Sequence, residues 1–263
     1  MPFGLTNSPA AFQHFMNDIF GDLLDNCVTV YLDDILIYSD NETSHKQHVQ
    51  DVLQRLCQHS LFTREDKCLF HTSSVKYLSY MLSPEGLTIA DDKVKCIQDW
   101  PKPRKVCDIQ SFLGFANFYQ RFVDGYSAIT VPLTRLTHKG LPWNFIQECQ
   151  DAFNKLKLAF TSAPILTHWI PDCPLVVETD ASDYALAAIL STYTPDGELH
   201  PIAFHSQTFT SPELNYDVHN KELLAIFEAF QRWRHYLEGS ATPIDVVTDH
   251  KNLEYFSTTK LLT

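Results

Sequence analysis

Apolar side chains recur every three or four positions through residues 8 to 24, SPAAFQHFMNDIFGDLL, where Phe12, Phe15, Met16, Ile19 and Phe20 form one stripe. That spacing predicts an amphipathic helix with Ser8 as its N-cap and Pro9 at its first position. The period then shortens. Val28, Val30, Leu32, Ile35 and Ile37 predict two short strands that meet at Asp33 and Asp34. A helical pattern returns from about His45 to His59, with Val49, Val52, Leu53 and Leu56 on one stripe. Residues 66 to 90 read as short strands, CLFH and VKYLSYML, closed by a turn at Ser83-Pro84-Glu85-Gly86. Helix, hairpin, helix and small sheet make an α+β N-terminal part.

Pro101 and Pro103 mark a boundary, after which DIQSFLGFANFYQRFV predicts a helix or helix pair with aromatic anchors at Phe112, Phe115, Phe118, Tyr119 and Phe122. Such anchors are ordinary core material. Another helical pattern covers 146 to 160, and Pro164, Pro171 and Pro174 separate it from a new unit. That unit opens with the strand PLVVETDAS and continues through an apolar run at 184 to 190, a hairpin-like TPDGEL and a strand at 201 to 205. A long helix follows from about Asn215 to Leu237, ended by Gly239, with Leu223, Ile226, Phe227, Phe230 and Trp233 expected on its inner face. The strand IDVVTD ends at Asp249. This order predicts an α/β domain in which one long helix covers a mixed sheet. The resulting division is 1–90, 91–170 (helical) and 171–263.

A chain of 263 residues with 44% hydrophobic content and 18 Phe has material for one or two cores and at least two domains. No apolar run reaches the roughly 18 residues of a membrane span, and the N-terminus lacks the basic and apolar regions of a signal peptide. An intracellular location, cytoplasm or nucleus, is expected, with no membrane partner. The 7 cysteines are scattered without a C-x-x-C pair, which fits free thiols in a reducing compartment. The net charge of −12 opposes non-specific phosphate binding, which draws on lysine and arginine. The stretch KVKCIQDWPKPRK, Lys93 to Lys105, locally reverses that sign; it is either a solvated linker or a phosphate-contacting surface.

Adjacent carboxylates at Asp33 and Asp34 mark a plain hairpin turn or hold a cation, and successive strand residues face opposite ways, so a chelating site there needs a third acid. In the C-terminal unit Asp180 closes the first strand, Glu222 lies near the start of the long helix and Asp249 closes the last strand. Strand-end acids are commonly surface residues. If the helix packs across the sheet, however, the three carboxylates converge, and such oxygen ligands suit Mg²⁺ or Mn²⁺ and in-line phosphodiester cleavage. His45, His48 and His59 form no metal pattern and are read as solvated helix residues.

The segments MPFGLTNSPAAFQ and YLDDILIYS, then SFLGFANFYQRFV, PLTRLT, ETDASDYALAAIL, HPIAFHS, NYDVHNKELLAIFEAFQRWRHYLEG and TDHKNLEYF, resemble in order the polyprotein of Gypsy (Ty3-like) long-terminal-repeat retrotransposons. The resemblance covers essentially the whole chain. It implies a partial reverse transcriptase palm in 1–90, a thumb and connection-like region in 91–170 and a ribonuclease H-like domain in 171–263. By the same resemblance Asp33 and Asp34 are polymerase metal ligands, Tyr31 packs beside the primer terminus, Phe3 and Gly4 line the incoming nucleotide, and Tyr77 and Leu78 belong to a primer-gripping hairpin. Asp180, Glu222 and Asp249 match three metal-binding acids of the ribonuclease H. The implied partners are an RNA template, a DNA primer and an RNA/DNA hybrid. The family has glycine where this chain has Ser79 and Ala187. Its upstream aspartate and fingers precede MPFGL and its fourth nuclease acid follows TDHKNLEYF, so the chain is read as truncated at both ends and is expected to lack polymerase activity alone. A non-catalytic, co-opted interaction protein is the alternative.

Overall fold

The computed structural model describes residues 4–194 and 196–249. By its contacts the chain divides into two compact units, Met1–Pro84 and Glu85–Thr263.

In the first unit, helix α1 spans Ser8–Phe20 and is followed by strands β1 (Val28–Tyr31) and β2 (Asp34–Ile37), helix α2 (Glu42–Gln58), and strands β3 (Val75–Tyr77) and β4 (Tyr80–Ser83). Met16, Ile19 and Phe20 of α1 pack with Val28 and Val30 of β1 and Val52 and Leu56 of α2. The cap of α1 is Asn7, one residue earlier than the sequence pattern suggests, and Ser8 and Pro9 lie in the first turn. Proline is tolerated there because the first-turn amides have no partner inside the helix. Asn41 caps α2 by accepting the Ser44 amide at 2.9 Å. Leu53 is 42% exposed rather than part of the stripe, since Val49, Val52 and Leu56 already fill the inward positions.

CLFH forms no strand; it follows a 3₁₀ turn at Glu65–Lys67, and Leu69 and Phe70 are exposed. VKYLSYML, a single strand by its pattern, is a complete hairpin as the resemblance implied, with Val75 opposite Leu82 and Tyr77 opposite Tyr80. Its turn residues Leu78 and Ser79 have φ of +48° and +70°. Both therefore occupy the left-handed conformation that two-residue hairpin turns require.

The second unit begins with β5 (Gly86–Ile89), α3 (Asp91–Gln98), α4 (Val106–Phe118), α5 (Tyr126–Arg135) and α6 (Gln147–Thr161). Of the aromatic anchors, Phe112, Tyr119 and Phe122 are buried, Phe115 is half-buried and Phe118 is exposed. The Phe112 ring lies 4.6 Å from that of Phe153 and 5.6 Å from that of Trp100. Strands β6 (Leu175–Ala181), β7 (Ala185–Tyr193) and β8 (Leu199–Thr208), helices α7 (Val218–Arg232) and α8 (Arg234–Leu237), and strand β9 (Asp245–Thr248) complete the chain. The sheet has the order β8-β7-β6-β9, antiparallel except for the parallel pair β6 and β9.

Helix α7 covers one sheet face, where Ala229 and Trp233 pack with Leu175, Val177, Ala188, Leu190 and Ile202. Trp233 and Phe230 lie on this face as expected, and the rest of the inner face differs from the expected one. Ala225 and Ala229 are fully buried, Leu223, Ile226 and Phe230 are half-buried, and Phe227 is 61% exposed. Small side chains let the helix approach the sheet closely, and the bulky residues then flank the contact. Helix α5 is tied to β8 by the Ser127 amide, which donates to Ser206 Oγ at 2.8 Å. Among the described residues no helix is long and apolar enough to cross a membrane.

Candidate metal centre and carboxylate hairpin

Alternation along β6 sends Leu175, Val177 and Thr179 into the core and leaves Asp180, the penultimate strand residue, exposed. Thr179 is in register with Thr248 on the parallel neighbour β9. Asp180 and Asp249 each follow one of these partners, so they stand side by side at the carboxyl ends of adjacent parallel strands. Glu222 enters from the second turn of α7 and is only 2% exposed. Ligand oxygens of Asp180, Glu222 and Asp249 lie within 4.8 Å of one another.

Glu222 is held at both oxygens. Oε1 accepts the Ala181 amide at 3.2 Å and Oε2 accepts the Thr248 hydroxyl at 3.3 Å. Burial pushes its carboxyl above the usual carboxylate range, and the Asp249 and Asp180 charges push the same way, against the two hydrogen bonds. Three converging hard oxygen donors, one of them deeply buried, fit a divalent cation: the cation would relieve the repulsion that gathering the acids creates.

Asp33 sits in the turn between β1 and β2, and Asp34 begins β2 opposite Tyr31; all three are exposed. No third acid, histidine or cysteine completes a ligand cluster with the two aspartates among the described residues. The turn itself is built firmly. Leu32 has φ +53°, its amide donates to Gln13 Oε1 at 2.7 Å, and Gln13 Nε2 donates to the Val30 carbonyl at 3.1 Å. Both ends of one amide side chain on α1 thus grip the backbone just before Asp33, a role that the sequence does not distinguish from the other polar positions of this amphipathic helix, His14, Asn17 and Asp18.

Tyr77 has its hydroxyl buried without a hydrogen-bond partner among the described residues, and burial, followed by the Asp34 charge, pushes its phenol up. Leu78 lies in the adjoining turn, Gly4 is exposed with φ +92°, and Phe3 lies outside the described residues. His45 and His48 are not freely solvated: their Nδ1 atoms lie 3.2 and 2.7 Å from Ser39 Oγ, and both are half-buried.

Residues 1–82 match the family described as reverse transcriptase (RNA-dependent DNA polymerase), and residues 145–246 match the RNase H-like domain found in reverse transcriptase. The transposon Tf2-3 polyprotein of Schizosaccharomyces pombe is 37% identical over 253 residues, which is 96% of this chain and 19% of that protein. The chain thus spans about a fifth of the length of the curated relatives it matches. Among solved structures, the foamy viral protease-reverse transcriptase dRH in complex with ds DNA superposes with a TM-score of 0.85 at 26% identity, covering 99% of this chain and 45% of that one. The foamy viral protease-reverse transcriptase in complex with RNA/DNA hybrid gives 0.81 at 26% identity, covering 100% and 36%.

Proposed function

Because the chain belongs to the Ty3/gypsy-type retrotransposon polyproteins, carrying their reverse transcriptase and RNase H-like segments, we propose that its C-terminal domain is a metal-dependent nuclease for the RNA strand of an RNA/DNA hybrid. The observation that carries this reading is the approach of Asp180, Glu222 and Asp249 oxygens to within 4.8 Å. These three side chains would hold Mg²⁺ or Mn²⁺, whose oxygen preference they match. When bound, such ions lower the pKa of an attacking water and steady the leaving oxygen of a phosphodiester. The protein's own part is to keep the acids gathered: the Ala181 amide and the Thr248 hydroxyl orient Glu222, and the parallel register holds Asp180 beside Asp249. Selection of RNA over DNA would rest on the 2′-hydroxyl.

In the same reading residues 1–90 are a polymerase palm, 91–170 a thumb and connection-like region, and 171–263 the nuclease. Asp33 and Asp34 would hold a metal ion of the palm together with a third acid that the described residues do not supply, with Phe3, Gly4, Tyr31, Tyr77 and Leu78 on the nucleotide and primer side. An RNA template and a DNA primer are the partners of that site.

The test is cleavage of a labelled RNA/DNA hybrid by the purified chain with Mn²⁺, against duplex DNA and single-stranded RNA. Hybrid-specific cleavage that disappears in Asp180→Asn supports the reading. Absence of hybrid cleavage by the wild type would make the chain a non-catalytic interaction protein, and equal cleavage by Asp180→Asn would take the activity away from the acidic cluster.

A further inference from the structure

Lysine is rarely buried without a carboxylate partner, since removing an ammonium from water costs several kcal/mol unless it is compensated. Lys221, next to Glu222 on α7, is 9% exposed and forms no ion pair among the described residues. Its Nζ instead donates to the Asp183 carbonyl at 3.4 Å and lies 5.5 Å from the centre of the buried Phe209 ring. Two consecutive helix residues therefore hold opposite ends of one short segment. Glu222 takes the Ala181 amide, and Lys221 gives to the Asp183 carbonyl.

Between these holds, Ser182 closes the turn after Asp180, its hydroxyl donating to the Ala185 carbonyl at 2.8 Å and accepting the Ala185 amide at 3.1 Å. The far side is tied to the end of β8, where the Phe209 amide donates to the Tyr184 carbonyl at 3.0 Å. The two helix holds differ in one respect. An ion drawing on Glu222 Oε1 would share that oxygen with the Ala181 amide, whereas the Lys221 bond involves no oxygen of the acidic cluster.

We infer that Lys221 is a positioning residue for the acidic cluster: it clamps the Ser182–Asp183 turn to α7 so that Asp180 stays opposite Glu222 when the Glu222 oxygens engage a cation. This rests on the metal-binding reading above and adds a residue that the three acids alone do not reveal.

The test compares the full-length chain with Lys221→Met, Lys221→Arg and Asp180→Asn, using Mn²⁺ as the probe in calorimetry, thermal melts without metal, and hybrid cleavage. Methionine retains the length and removes the buried charge, so the metal-free Lys221→Met variant should melt at or above the wild-type temperature. Its Mn²⁺ affinity should fall at least about tenfold, and Lys221→Arg, which keeps charge and donors, should recover most of it. KM for the hybrid should stay unchanged while kcat at limiting Mn²⁺ falls and returns at high Mn²⁺. Wild-type Mn²⁺ affinity in Lys221→Met, or a raised KM with unchanged Mn²⁺ affinity, would overturn the inference and leave the metal-binding reading intact. If wild type and Asp180→Asn give the same heats, the metal-binding reading itself fails and the inference falls with it. Should Lys221→Met fail to fold, Lys221→Gln, whose shorter side chain stops short of the Asp183 carbonyl, serves in its place with the same expected loss.

Discussion

The amide of Leu32 and the side-chain oxygen of Gln13 are 2.7 Å apart, and this bond holds the residue that turns the chain into Asp33. Replacing Gln13 by Leu removes it together with the bond to the Val30 carbonyl, leaving two partly buried backbone groups without partners. A loss of about 1–3 kcal/mol is expected in urea unfolding, with faster hydrogen exchange at the Leu32 amide. Unchanged exchange there would show that the amide is held by something else.

Ser79 at φ +70° occupies a conformation that disfavours residues with a Cβ. Ser79→Gly should therefore stabilise the β3–β4 hairpin by roughly 1 kcal/mol, read as a rise in the denaturant midpoint at constant slope. A lower midpoint would mean that the serine side chain contributes more than its backbone costs.

Ala229 is fully buried where α7 meets the sheet. Ala229→Leu should cost about 1–3 kcal/mol through overpacking, whereas Phe227→Leu, on the exposed face of the same helix, should stay within about 0.5 kcal/mol. Thermal melts of the two variants make the comparison.

Metal binding by the acidic cluster should appear as stabilisation. At about 100 times its dissociation constant, Mn²⁺ should add about 2.7 kcal/mol to the wild-type protein and nothing to Asp249→Asn. A metal-dependent rise of equal size in both proteins would place the bound ion elsewhere.

Arg55 donates to both oxygens of Asp22 and, at 3.0 Å, to the Ile19 carbonyl. The guanidinium lowers the Asp22 pKa from 3.8 to about 2. Because the folded value lies below the unfolded one, the stabilisation is fully present above about pH 4 and is lost as pH falls through about 2. Asp22→Asn should therefore be the less stable protein at pH 6 and equal to wild type near pH 1.5. A stability gap that persists at that pH would assign the effect to something other than the charge.

Much of the element order was legible from local pattern alone. The change from 3.6-residue to 2-residue periodicity near residue 28 locates α1 and the β1–β2 hairpin, because side-chain direction along a helix or strand depends on a few neighbouring residues. Strand ends and a helix start likewise identified the places where Asp180, Glu222 and Asp249 lie. Local pattern failed where a decision needed a partner. CLFH has strand-like composition but no neighbouring strand to pair with, and VKYLSYML reads as one strand until two left-handed residues fold it back on itself.

Only tertiary structure decided that Thr179 pairs with Thr248, which brings Asp180 and Asp249 together across some 70 residues of chain, and that α7 buries Ala225 and Ala229 while Phe227 faces outward. Gln13's hold on Leu32 and Lys221's hold on Asp183 belong to the same class. Each depends on the distance between segments that sequence spacing does not relate. That distance is set by the packing of whole elements, where a shift of one strand residue would turn every side chain to the other face.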